Sequence, residues 1–366
     1  MSNDLDPSSA GITPALFQEW RSPRFGDANP SCMNNPVWEW LIRERINAYQ
    51  ANRALEGPSS CAVGPCWCFD RFGQSTTHLV DGRQILIAGE HEDSYDPDFC
   101  IYNDVVVLHP DQHIDIYGYP AENFPPTDFH SATLVARQII LIGNLGYRGQ
   151  RHIGTTQVLM LHLDDFRISP IQTQGTAPGW IHDHQAQLAE DAQSITIRGG
   201  KIDRGDDQSL IENIDEWRLH LGDWRWERLT EHQWPRWEMQ RRDQRRNHLW
   251  ELRQALWARG VGWQDQLEQA MNELTGKLGA EPDLDLLAAL YQPPLEYTAI
   301  PSDDPEEHNI FRIRVQGVVV RFVEKSDTLQ VTVEGELPTQ IIESLQSELL
   351  RKLQTLENTV WITLPI

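Results

Sequence analysis

The sequence predicts a mainly β fold with helical flanks and a small α+β domain at the C-terminal end. Three observations carry this. A pair of strands separated by a glycine break recurs three times, about 55 residues apart. Apolar residues at 38, 41, 42, 46 and 49 recur at helical spacing. Beyond residue 310 the pattern changes to period-two alternation, then to one amphipathic stretch.

In chain order, residues 1–66 form an N-terminal segment that is partly helical, centred on Pro36-Val-Trp-Glu-Trp-Leu-Ile. Residues 67–230 hold the repeats. The first begins at Phe72, runs through Ile85-Leu-Ile-Ala to a break at Gly89, and resumes at Tyr102-Asn-Asp-Val-Val-Val-Leu-His109. The second begins at Phe129-His-Ser-Ala-Thr-Leu-Val, passes Ile139-Ile-Leu-Ile to Gly143, and resumes at Thr156. The third begins at His184-Gln-Ala-Gln-Leu, passes Ser194-Ile-Thr-Ile-Arg to Gly199-Gly200, and resumes at Asn213. The glycine breaks at 89, 143 and 199 lie 54 and 56 residues apart, and the Leu-His pairs ending at 109, 162 and 220 lie 53 and 58 apart. A strand, a glycine turn, a loop and a second strand in about 50 residues is the content of one propeller blade.

Residues 231–295 form a helical region, with helices over 236–258, 262–277 and a short one at Leu284–Tyr291. Residues 296–366 form the α+β domain: strands at Ile310–Val315, Val318–Val323 and Leu329–Val333, a helix over Thr339–Leu356, and a last strand at Val360–Leu364.

The opening His-Ser-Ala-Thr-Leu-Val, the apolar strand ending at Gly199-Gly200, the Asn-Asp-Val-x-Val-Leu strand and the closing Trp224 and Trp226 resemble the Kelch-repeat family. The resemblance covers about 160 residues and implies a Kelch-type β-propeller or partial propeller. Only one repeat has the double glycine and only one the closing Trp. Three blades do not close a ring. Either 35–68 and the C-terminal region supply further blades, or the assembly stays open.

The chain has 366 residues and a net charge of −23, which favours a cationic partner and opposes binding of nucleic acid or anionic membrane. No run approaches a membrane span, and the acidic start lacks the apolar core of a secretion signal. The expectation is a cytoplasmic protein with reduced thiols. Cys32, Cys61, Cys66 and Cys68 could offer four thiolates to zinc but lack paired Cys-x2-Cys spacing, so ordinary buried thiols are expected. The stretch Trp234–Trp263 mixes five Trp with seven Arg. Leu249, Leu252 and Leu256 form a stripe there, bordered by Trp250 and Trp257, which reads as a packing face rather than a nucleic-acid platform.

No nucleotide, hydrolase or metalloprotease motif occurs. The leading expectation is a non-enzymatic protein-binding module without a cofactor. It would act through loops 90–103, 118–130 and 144–155, with His91, Glu92, Asp93, Tyr95, Asp96, Asp98, Tyr147 and Arg148 as contact residues. Its partner would be basic and toxin-like or nuclease-like, which makes an immunity or inhibitor role the specific version. One alternative is an enzyme with a metal at the acidic loop 90–98 or at His182 and His184. Another is a scaffold. His130 recurs at the position of His184, so both imidazoles are expected to make structural hydrogen bonds, and His109, His162 and His220 are read the same way.

Overall fold

The computed structural model describes residues 7–57, 64–91, 96–205, 210–302 and 308–366. The chain divides into two compact units, Met1–Glu231 and His232–Ile366. Both are built of antiparallel sheets with a few helices. Among the described residues no helix is long and apolar enough to cross a membrane.

The first unit opens with helices α1 (Pro14–Trp20), α2 (Pro36–Glu44) and α3 (Ala48–Ala54). Their starts are encoded locally. Thr13, Asn35 and Asn47 each accept a hydrogen bond from a backbone N–H of the first turn, and proline follows Thr13 and Asn35 where its missing N–H costs nothing. Arg45, in the left-handed region at φ 53°, ends α2. Residues 36–54 therefore supply helices, and no blade, to this unit.

Next come β1 (Ser31–Cys32), β2 (Ser75–His78), β3 (Gln84–Ile87), β4 (Glu90–His91), β5 (Cys100–Ile101), β6 (Asp104–Leu108) and β7 (Ile114–Gly118). Strands β2, β3, β6 and β7 form a four-stranded meander, β1 joins the outer edge of β7, and β4–β5 form a ribbon. The second sheet is the meander β8 (Ser131–Val135), β9 (Gln138–Ile142), β10 (Val158–His162) and β11 (Ile168–Pro170). The third region has β12 (Trp180–His182), β13 (Gln185–Leu188), β14 (Ser194–Arg198), β15 (Lys201–Asp203), β16 (Ile211–Glu212), β17 (Trp217–His220) and β18 (Arg225–Arg228). Here β13, β14, β17 and β18 form the meander, and β12, β15 and β16 a small separate sheet.

The registers repeat with the sequence. Ile85 faces Val107, Ile139 faces Leu161 and Ile195 faces Leu219 across their strand pairs. Because side chains alternate along a strand, each sheet has two packing faces. The first sheet sets Leu86, Val106, Ile114 and Ile116 against Trp38, Leu41 and the other N-terminal helix residues. Its other face, with Ile85, Ile87, Val105 and Val107, meets Ile139, Leu141, Leu159 and Leu161 of the second sheet. That sheet's far face, with Ile140, Ile142, Val158 and Met160, meets Ile195, Ile197, Trp217 and Leu219 of the third. Each fully buried Ile or Leu is worth roughly 1.5–3 kcal/mol. The third sheet's remaining face is polar, with Gln185, Gln187, Thr196, Arg198, Arg218 and Glu227 in alternation. Within this unit the row thus ends in helices on one side and in a polar sheet face on the other.

The second unit holds β19 (Arg236–Arg241), α4 (Leu249–Val261), α5 (Gln264–Leu278), α6 (Leu284–Ala288), β20 (Tyr297–Ile300), β21 (Ile310–Val315), β22 (Val318–Glu324), β23 (Thr328–Glu334), α7 (Thr339–Glu357) and β24 (Trp361–Pro365). One six-stranded sheet runs β20-β21-β22-β23-β19-β24. The helices and the sheet share one hydrophobic core, from Trp237 and Leu252 to Leu353 and Trp361. The helix expected from 236 is corrected. Residues 236–241 form β19, which sits between β23 and β24. Trp237 and Met239 enter the core two residues apart, the period of a strand. Helix α4 starts only at Leu249.

Candidate protein-contact surface

The glycine breaks put three long connections at one end of the meanders: 88–103 after β3, 143–157 after β9 and 199–216 after β14. Gly143 shows why glycine stands there. Its φ is +80°, and a Cβ would lie 2.5 Å from the Ile181 carbonyl oxygen and 2.7 Å from Cε1 of His184.

These connections brace one another. The Ile101 backbone N–H donates to the Tyr147 hydroxyl at 2.9 Å, and the Phe99 ring meets the Tyr147 ring edge-on at 5.6 Å. Trp180 Nε1 donates to the Leu145 carbonyl at 3.0 Å, and His152 lies edge-on to the Trp180 ring. Arg151 Nη1 donates to Asp203 Oδ2 at 2.7 Å, a pair mostly shielded from water. Asp128 Oδ1 accepts the Gly146 N–H at 2.6 Å, and burial pushes its carboxyl pKa up. Beneath the first connection, Asp104 receives Arg71 Nη2 at 3.0 Å and Trp67 Nε1 at 2.9 Å, while the guanidinium lies 3.5 Å from the Tyr102 ring centroid.

Between Ser22–Phe25, Cys100–Asp104 and Tyr147 lies a cavity of about 320 Å³, walled mainly by apolar and aromatic side chains. Burial pushes the Tyr147 hydroxyl up to about 12 and the Cys100 thiol up to about 11, so both are neutral near pH 7. Phe25, 59% exposed, stands at this cavity.

The structure distributes the eight expected contact residues unevenly. Glu92, Asp93 and Tyr95 lie outside the described residues. His91 and Asp98 are buried, so they support the loop from within instead of presenting a free surface. Asp96 is half-exposed, and its Oδ1 caps the turn by accepting the Asp98 N–H at 2.8 Å. Tyr147 is the brace, and Arg148 is exposed on a short 3-10 turn beside it. Phe25, Phe99, Arg151 and Trp180 were missed by sequence reasoning. Their roles depend on contacts between distant segments.

The residues considered for metal binding separate. His182 closes β12, Asp183 takes a left-handed φ of 57°, and His184 precedes β13, so the pair does not lie on one continuous strand. His184 Nε2 bonds Ser131 Oγ at 2.9 Å, and His130 Nε2 bonds Ser75 Oγ at 2.8 Å. The expected structural bond therefore recurs, each histidine reaching the first strand of the preceding sheet. His109, one residue past β6, bonds Asp115 of β7, and His220 of β17 bonds Glu227 of β18. Cys61 lies outside the described residues, Cys66 and Cys68 are buried and Cys32 is exposed. Among the described residues no three His, Cys, Asp or Glu side chains converge as a ligand set. In the second unit, Trp250, Trp257 and Trp263 are each half or more exposed, while Leu249 and Leu252 take the core side of α4.

No protein-family model and no curated protein matches the chain. A solved structure titled "Structure of YjhT" is similar to it at 14% sequence identity, with a TM-score of 0.34. The match covers 44% of this chain and 56% of that one, so the chain spans just over half of that protein's length.

Proposed function

We propose that the unit Met1–Glu231 is a protein-binding module, an open Kelch-type propeller of three blades that captures a basic partner with its loops. An inhibitor or immunity role against a toxin-like or nuclease-like protein is the specific form of this reading. The observation that carries it is the bracing of the three connections through Tyr147, Trp180 and the Arg151–Asp203 pair. A surface held in its bound conformation before contact loses little entropy on binding. The net charge of −23 supports a cationic partner by raising its rate of approach.

The test is to capture the partner from the native host and then measure association with the purified full chain as salt is raised. The association rate should fall at least tenfold between about 0.05 and 0.5 M salt, as the Debye length shrinks. Tyr147→Ala should shorten the lifetime of the complex. A rate indifferent to salt, with a complex indifferent to Tyr147→Ala, would refute the reading.

A further inference from the structure

The three meanders share a docking rule that the last of them leaves unfilled. The first strands lie side by side, β2 next to β8 and β8 next to β13. Each contact carries the same bond: the histidine just before the incoming strand reaches the residue that opens the strand before it. His130 reaches Ser75 at the start of β2, and His184 reaches Ser131 at the start of β8. The equivalent opening residue of β13 is Gln185. Its side chain is exposed and makes no hydrogen bond among the described residues.

A groove of about 650 Å³ runs along this strand. Residues 185–190 line it in succession, together with Thr196 and Arg198 of β14 and Glu216. No strand pairs with the free edge of β13 among the described residues. β2 and β8 are likewise unpaired edges of their sheets and meet the next first strand by packing and the histidine bond, not by a ladder; what sets β13 apart is that, among the described residues, no further first strand lies against it. The side chains of Gln185, Gln187 and Thr196 offer neutral donors and acceptors, and Arg198 adds one cation at the end of β14.

We infer that this groove is a second binding site, which takes an extended segment of a partner protein in the place of a fourth blade's first strand. The occupant carries an imidazole or hydroxyl side chain that bonds Gln185, and neutral side chains along the rest of its length. A second copy of this chain is the less suitable occupant, because two chains of net charge −23 repel. This site adjoins the loop surface proposed above at Glu216, the last residue of the third connection, and is otherwise built of residues outside it.

The chain contains its own probe. A fluorescein-labelled peptide of the sequence Phe129–Val135 carries the histidine and the strand that dock on β2. Added to the full-length protein, it should bind saturably and weakly, at about 100 µM, as small interfaces do. Gln185→Ala in the protein, or His130→Ala in the peptide, should each weaken binding about fivefold, the value of one hydrogen bond. A scrambled peptide should not bind, and Tyr147→Ala in the loop surface should change nothing. Absence of saturable binding at 1 mM, or equal binding by Gln185→Ala protein, would overturn the assignment. Self-association of the full chain that Gln187→Lys abolishes would give the groove to a second copy and overturn it likewise.

Discussion

Acidification is the perturbation with the sharpest consequence, because His130, His182 and His184 are buried and neutral. Burial is the main cause in each case. It holds His130 and His182 down at about 3 and His184 at about 4, against 6.5 when unfolded. His184 adds to the effect on His130, while Lys201, Arg151 and His184 oppose protonation of His182 and Asp203 favours it. The folded pKa values lie below the unfolded one, so the unfolded chain takes up protons first as pH falls. Stability is therefore complete above about pH 6.5 and is lost progressively towards pH 3–4. At pH 5 each histidine costs about 2 kcal/mol, and three together cost about 6 kcal/mol, comparable to the whole stability of many domains. Urea midpoints followed by near-ultraviolet circular dichroism from pH 7.5 to 5 measure this. His184→Gln can still bond Ser131 but cannot be charged, so its deficit against the parent should shrink by about 2 kcal/mol between those pH values. A difference between variant and parent that is constant with pH would refute the reasoning.

Asp104→Asn should destabilise the first unit by about 3–5 kcal/mol in urea titrations, since it leaves the fully buried Arg71 guanidinium without its counter-charge. Gly143→Ala should be strongly destabilising and Gly149→Ala close to neutral, because one added Cβ meets backbone at 2.5 Å and the other meets open space. Both can be read as shifts in thermal midpoint. Among Cys32, Cys66, Cys68 and Cys100, iodoacetamide at pH 8 should label exposed Cys32 first. Burial suppresses the thiolates of Cys66, pushed up to about 12, and Cys100, up to about 11, which mass spectrometry of the native protein can verify.

The local parts of this fold were readable from residue order. Glycine at 89, 143 and 199–200 marked the strand breaks: at 89, 143 and 200 a left-handed turn lies against neighbouring backbone and excludes a side chain, and at 199 the left-handed φ of 64° by itself favours glycine. Alternation after 310 marked β21 to β23 for the equally local reason that a strand has period two. Where a segment's surroundings decide, the reading failed. Trp237 and Met239 fit either a helix or a strand until β23 and β24 enclose them. The candidate surface divides the same way. Tyr147 and Arg148 were found as loop residues, but buried His91 and Asp98 could not be told from half-exposed Asp96 by composition.

Residue order by itself determined three recurring strand pairs, their spacing and the histidines that open the second and third. Each of those depends on a few neighbouring φ angles and an alternating pattern. Only tertiary structure decided that the helices of 14–54 cover the first sheet's outer face, and that each histidine reaches back one sheet to a serine. Those outcomes depend on which distant surfaces exclude water together, and burial is a property of the assembled fold that no single stretch of chain contains.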